Sequence, residues 1–214
     1  MKKMDLVRRL VDPGVIAILR TDSAEKLPDA INALVAGGIQ AIEVTMTTPS
    51  ALKLIGKARA VLGDKIVMGV GSVLDAETAR QAMLEGAQFV ITPVVRPAVI
   101  EMCNRYGVPV ASGAMTPTEA LTAHELGSDF IKIFPADHLG ASYIKTILAP
   151  LPMLQIIPTG GVTPQNVPDY FRAGAAAVGA GSTLLTRDIF ESADWNALSA
   201  RAAEFVAAAR KARA

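Results

Sequence analysis

Leu126-Gly127-Ser128-Asp129-Phe130-Ile131-Lys132-Ile133-Phe134 closes a helical pattern on a glycine and passes straight into a short apolar run. The same phrase of helix end, glycine and strand recurs as AGGIQAIEV (36–44), EGAQFVITP (85–93) and AGAAAVGAG (173–181), a weak internal repeat of a βα unit. Apolar runs alternate with amphipathic segments through nearly the whole chain, and eight read as strands: 15–20, 40–45, 66–70, 88–92, 109–112, 130–134, 155–159 and 177–181. Strands alternating with helices imply a parallel sheet. Eight such units without a long linker imply a closed (β/α)8 barrel, the TIM barrel, as one domain over residues 1–214. Residues 1–12 read as an extra helix ahead of the first strand, and 193–214 as a long alanine-rich helix on the barrel wall, with Trp195 in packing. The competing architecture is an open doubly wound sheet. Against it, no GxGxxG follows the first strand, which ends in Leu19-Arg20-Thr21-Asp22.

Helix starts are marked as well. Thr116-Pro117-Thr118-Glu119 has the form of a capping box with proline at the first helical position, and Thr48-Pro49 and Thr163-Pro164 offer the same opening. The bulk numbers narrow the function classes. A formal net charge of +1 over 214 residues leaves no electrostatic footprint for nucleic acid or an anionic membrane. Hydrophobic residues make up 51% but aromatics only 5%, which favours aliphatic packing of helices on a buried sheet. No apolar run reaches the roughly 18 residues of a membrane span, and the charged residues 1–10 lack the apolar core of a signal peptide. One cysteine, Cys103, excludes an intrachain disulfide framework and reads as a buried small hydrophobe. A soluble cytoplasmic protein is expected.

Lys132 stands in the middle of the sixth strand, on the same face as Phe130 and Phe134. A buried ammonium is costly unless paired, neutralised or used, and a lysine depressed by burial becomes a nucleophile able to form a Schiff base with a carbonyl. The bland alternative is a lysine near a strand end that snorkels to water. In a barrel, active sites gather at the C-terminal strand ends, with phosphate sites frequent after strands seven and eight. There the chain carries Thr159-Gly160-Gly161 and Gly181-Ser182, whose backbone N–H groups suit phosphate oxygens; turn glycines are the plainer reading. Glu43 shares a face with Ala41 and Thr45 on strand two. A buried ion pair with Lys132 is weak evidence for stability, so two opposite titratable groups beside a phosphate cradle read as catalysts. His124 and Lys145 lie on helices away from this set; His138, after strand six, is a weaker candidate for a substrate contact. Two isolated histidines and a distant cysteine make no metal site.

These residues resemble the bacterial 2-keto-3-deoxy-6-phosphogluconate aldolases, which often also act on 4-hydroxy-2-oxoglutarate. The likeness runs from about residue 15 to 182 and is carried, in order, by AILR, GGIQAIEVTMTTP, GVGSVL, EGAQFVITP, MTPTEA, FIKIFPA, PTGGVTPQN and AVGAGS. It implies a metal-free class I aldolase on a (β/α)8 barrel, usually a homotrimer, with a phosphorylated keto acid and pyruvate as ligands and no cofactor beyond the lysine. Carried over, Lys132 is the Schiff-base lysine, Glu43 the general acid/base, and Thr159, Gly160, Gly161, Gly181 and Ser182 hold the phosphate end. Ser72 stands where the family often has threonine, and Pro93 shapes the pocket wall. Many members bind the substrate carboxylate with an arginine where this chain has Thr47, and Arg20 is the candidate replacement. Competing readings are an aldolase for the galactonate epimer, another phosphate-binding barrel that needs no lysine on strand six, and a non-catalytic trimeric barrel.

Overall fold

The computed structural model describes residues 2–213. Eight strands, β1 (Val15–Leu19), β2 (Ala41–Thr45), β3 (Val67–Gly71), β4 (Phe89–Ile91), β5 (Val110–Ala114), β6 (Phe130–Ile133), β7 (Ile156–Pro158) and β8 (Val178–Ala180), form one sheet. All its ladders are parallel, in the order β7-β6-β5-β4-β3-β2-β1-β8. A parallel bridge between Thr159 and Gly179, and the Ala176 N–H donating to the Ile156 carbonyl at 2.9 Å, bring β7 to β8 and nearly close the ring. The (β/α)8 barrel read from the sequence is the observed fold, and the open sheet is not.

Among the described residues ten helices surround it: α1 (Lys3–Val11), α2 (Leu27–Ala36), α3 (Ala51–Leu62), α4 (Ala76–Leu84), α5 (Pro97–Arg105), α6 (Pro117–Glu125), α7 (Gly140–Leu148), α8 (Val167–Arg172), α9 (Arg187–Ser192) and α10 (Trp195–Arg213). Met1 and Ala214, the outermost residues of the two expected terminal helices, lie outside the described residues. In the repeated phrase, Gly38, Gly86, Gly127 and Gly174 all take φ between +90° and +98° just after a helix, a backbone region that favours glycine, before the chain extends into the next strand. Of the three cap-and-proline openings, only Thr116 caps as expected, with Glu119 reaching back to its N–H. At Thr48-Pro49 the helix starts later: Ser50 takes a left-handed conformation as N-cap, and the Thr48 hydroxyl is spent on the Thr21 N–H instead. At Thr163-Pro164 a turn closed by reciprocal Thr163–Asn166 hydrogen bonds precedes α8, with Asn166 as N-cap. The short helix α9 between β8 and α10 was not anticipated.

Strand pleating divides the core in two. Outward residues such as Ile42, Val70, Val90, Ile131 and Ile133 pack on the helices, whereas Ile16, Ala41, Val67, Phe89, Ala111, Phe130 and Ile157 fill the barrel interior. Leu6 and Leu10 of α1 join the interior set, so the extra N-terminal helix plugs the barrel mouth at which the strands begin. Each such burial contributes about 1.5–3 kcal/mol. The opposite mouth, above Lys132, holds a cavity. α10 packs along α2 and α8, and Trp195 sits edge-on to Phe190 at 6.3 Å, a packing role as expected.

Candidate active site

Alternation on β6 turns Lys132 to the barrel interior, one pleat above Phe130. The side chain is 5% exposed, with Nζ 5.3 Å from the centre of the Phe134 ring. Its β5 neighbour in the register is Gly113, where an added Cβ would lie 2.1 Å from the Pro93 carbonyl carbon. The missing side chain is therefore what lets Pro93 lean in beside the lysine strand.

Glu43 is fully buried, and neither carboxylate oxygen has a hydrogen-bond partner among the described residues. Burial pushes its carboxyl above the usual carboxylate range, and the charges of Lys132 and Arg20 pull the other way. Room for the group comes from the Gly-Val-Gly of β3. An added Cβ at Gly71 would fall 1.5 Å from Glu43 Oε1, and one at Gly69 would strike the Phe89 ring at 2.4 Å. Two glycines one pleat apart thus admit a large ring below and a carboxylate above.

Arg20 follows β1 and is exposed, without a hydrogen-bond or ion-pair partner among the described residues, yet its field reaches Glu43. The backbone on either side of it is held by threonines at the end of β2 and just after it. The Thr45 hydroxyl donates to the Leu19 carbonyl at 3.3 Å, and the Thr21 N–H donates to Thr48 Oγ1 at 3.3 Å. Thr47 and Thr45 hydroxyls lie 2.9 Å apart, the former exposed and the latter buried.

A cavity of about 590 Å³ opens at this mouth. Lys132 and Phe134 form one wall, Ile18 and residues 20–23 another, and Thr159-Gly160-Gly161 with Gly181-Ser182-Thr183 the glycine-rich side. Gly160 and Gly161 both have positive φ, +104° and +63°, and Asn166 accepts the Thr163 N–H while donating to the Gly161 carbonyl, fixing the loop after β7. The Thr183 hydroxyl donates to the Val162 carbonyl and so ties the loops after β7 and β8 together. Of the expected residues, Lys132, Arg20, Thr159, Gly160, Gly161, Gly181 and Ser182 meet on this cavity. Glu43 lies buried inside the barrel, and Thr47, Ser72 and Pro93 stand at the ends of β2, β3 and β4 but not on the cavity wall. His138 is exposed and takes no part in the wall. Buried Cys103 has its thiol pushed up to about 12 by desolvation, consistent with a packing role. Asp22, Thr183, Arg187, Phe190 and Glu191 line the cavity without having been singled out in the sequence. The available signal was Thr186, whose hydroxyl accepts the Ile189 N–H as the N-cap of α9.

Fold and site together define a parallel barrel with an interior lysine, a buried carboxylate and a glycine cradle at one mouth. A family model described as KDPG and KHG aldolase matches residues 7–201, and the chain belongs to that family. It is 36% identical over 171 residues to the 2-dehydro-3-deoxy-6-phosphogalactonate aldolase of Escherichia coli, covering 79% of this chain and 83% of that one. To the 2-dehydro-3-deoxy-phosphogluconate aldolase of Treponema pallidum it is 32% identical over 189 residues, 86% and 90% of the two chains. A solved KDPG aldolase from Legionella pneumophila, with pyruvate captured as a covalent carbinolamine, superposes with a TM-score of 0.83 at 25% identity, covering 92% and 95%.

Proposed function

We propose that this protein is a class I aldolase that cleaves 2-dehydro-3-deoxy-6-phosphogluconate to pyruvate and glyceraldehyde 3-phosphate, and 4-hydroxy-2-oxoglutarate to pyruvate and glyoxylate. The observation that carries the reading is an amine inside the barrel, on the wall of a cavity whose other side is a glycine cradle. Lys132 Nζ attacks the C2 ketone, and the carbinolamine loses water to give an iminium. Glu43, through an intervening water, takes the C4 hydroxyl proton. The C3–C4 bond breaks with its electron pair passing into the iminium as an enamine, and the aldehyde leaves. Glu43 returns a proton to C3, and hydrolysis frees pyruvate and the amine. The lysine supplies the electron sink that other lyases take from a cofactor. A carboxyl held above its usual range by burial suits the exchange, because a general base works best with a pKa near the operating pH.

Arg20 binds the substrate carboxylate in this reading, in place of the family arginine absent at Thr47, and Thr159, Gly160, Gly161, Gly181 and Ser182 receive the phosphate. Ser72 and Pro93, off the cavity wall, contribute only from the ends of β3 and β4. Arg20→Ala is expected to raise the KM of keto-acid substrates roughly 10-fold or more, the worth of a hydrogen bond to a charged group. An unchanged KM for both keto acids in initial-rate assays would assign the carboxylate to another group. Gly71→Ala is expected to displace the Glu43 carboxylate and lower kcat by about 10²-fold, since a misplacement near 1 Å costs that much. A variant that keeps both its melting temperature and its kcat would show that Glu43 needs no such room.

The 36% relative is named for the galactonate epimer, so cleavage of the gluconate, the galactonate and 4-hydroxy-2-oxoglutarate substrates in parallel tests the substrate assignment. The Thr45–Thr47 region, off the cavity wall, is the notable place for a change that would alter the preference between the epimers. We also propose that the chain works as one domain within a cytoplasmic homotrimer. Four exposed apolar side chains, Leu74 (52%), Val94 (51%), Met115 (40%) and Phe134 (37%), follow the consecutive strands β3 to β6 and offer a surface for that assembly. No helix among the described residues is long and apolar enough to cross a membrane. Sedimentation of the purified protein tests the trimer.

A further inference from the structure

We infer that Arg187 is the cation that binds the substrate phosphate, and that it sets the preference of this site for phosphorylated over unphosphorylated keto acids. The inference rests on the aldolase reading for what the cavity holds. Three cationic side chains line the cavity: Arg20, Lys132 and Arg187. On that reading the first two are committed to the carboxylate and the ketone. The cradle of Thr159, Gly160, Gly161, Gly181 and Ser182 offers N–H and hydroxyl dipoles but no charge to balance a phosphate dianion. Arg187 remains, lining the same cavity. The Leu184 and Leu185 N–H groups both donate to the Gly181 carbonyl, at 2.9 and 3.0 Å, which curls the chain back just before Arg187.

The arginine is available and its helix is held in place. Its side chain is 87% exposed, and its one ion pair among the described residues uses Nε, 2.6 Å from Glu191 Oε1. Both Nη groups have no hydrogen-bond partner among the described residues, leaving one edge of the guanidinium to accept an anion. An exposed i,i+4 pair is weak, so Glu191 orients the fork more than it neutralises it. Asp188 and, less strongly, Asp22 also act on the arginine's charge, and Asp22 lines the same cavity. Lys26 donates to the carbonyls of Phe190 and Glu191, at 3.3 and 2.8 Å, and lies 5.7 Å from the Phe190 ring, pinning the C-terminal end of α9 to the start of α2. Arg187 is thereby presented on an anchored turn of helix.

Arg187→Met tests this. For 2-dehydro-3-deoxy-6-phosphogluconate, kcat/KM is expected to fall roughly 10- to 100-fold, with a much smaller loss on 4-hydroxy-2-oxoglutarate, and Arg187→Lys is expected to recover part of the difference. Inorganic phosphate titrated calorimetrically into the unreacting protein should bind at least about 10-fold more weakly to Arg187→Met than to wild type. Equal losses on both substrates, or equal phosphate affinity, would overturn the assignment. The phosphate titration involves no aldol chemistry, and reductive trapping of pyruvate on Lys132 involves no phosphate, so failure of the arginine and failure of the aldolase reading give different results.

Discussion

Lys132→Met is expected to bring aldol cleavage down to the uncatalysed background while the protein stays folded. Methionine matches the length of the lysine stem and fills the same interior position, 5% exposed beside Phe134, without leaving a cavity. No other amine lies on the cavity wall among the described residues, and Lys145 is on the outer helix α7. With no amine to form the iminium, the C3–C4 bond has no acceptor for its electrons. Steady-state pyruvate production, read beside a thermal melt, separates this from misfolding. Turnover within tenfold of wild type in a folded variant would remove the lysine from the mechanism.

Glu43→Gln is expected to lower kcat by about 10²- to 10⁴-fold, the range typical of general acid–base help. The same change is expected to stabilise the fold at neutral pH. Burial raises the Glu43 carboxyl above its unfolded value, so the folded state holds the proton more tightly. That contribution favours folding below the unfolded pKa and is lost as pH rises through the folded one. Glutamine carries no charge to desolvate, so the melting temperature of Glu43→Gln relative to wild type should increase from acid to neutral pH. Each kcal/mol gained corresponds to about 2–4 °C for a chain of this size. On the proposed role of Glu43, its two carboxylate oxygens, buried and unpartnered among the described residues, are a stability cost retained for function, and a variant both slower and no more stable at neutral pH would contradict that view.

How far the chain could be read depended on range. The strands stood out because all are apolar runs and seven of the eight follow within a few residues of a glycine with positive φ, a local code that tertiary contacts do not override; β7, which follows Leu151-Pro152, is the exception. Lys132 and Glu43 stood out because a charge inside such a run has nowhere neutral to go. The Thr48 cap misled because its hydroxyl has two possible uses, and the long-range bond to Thr21 won. Helix α9 has six residues, too few for a helical period to show, so Arg187, Phe190 and Glu191 gave no sign of facing the cavity. Nor could spacing reveal that Gly71 and Gly113 are empty for the sake of Glu43 and Pro93, since that depends on neighbouring strands in register.

Covalent capture of pyruvate tests the central claim most directly. Incubated with pyruvate and borohydride, then digested and mapped by mass spectrometry, the protein should carry the reduced adduct on the peptide containing Lys132, and Lys132→Met should carry none. An unmodified Lys132 peptide, or an adduct distributed over surface lysines, would contradict the account.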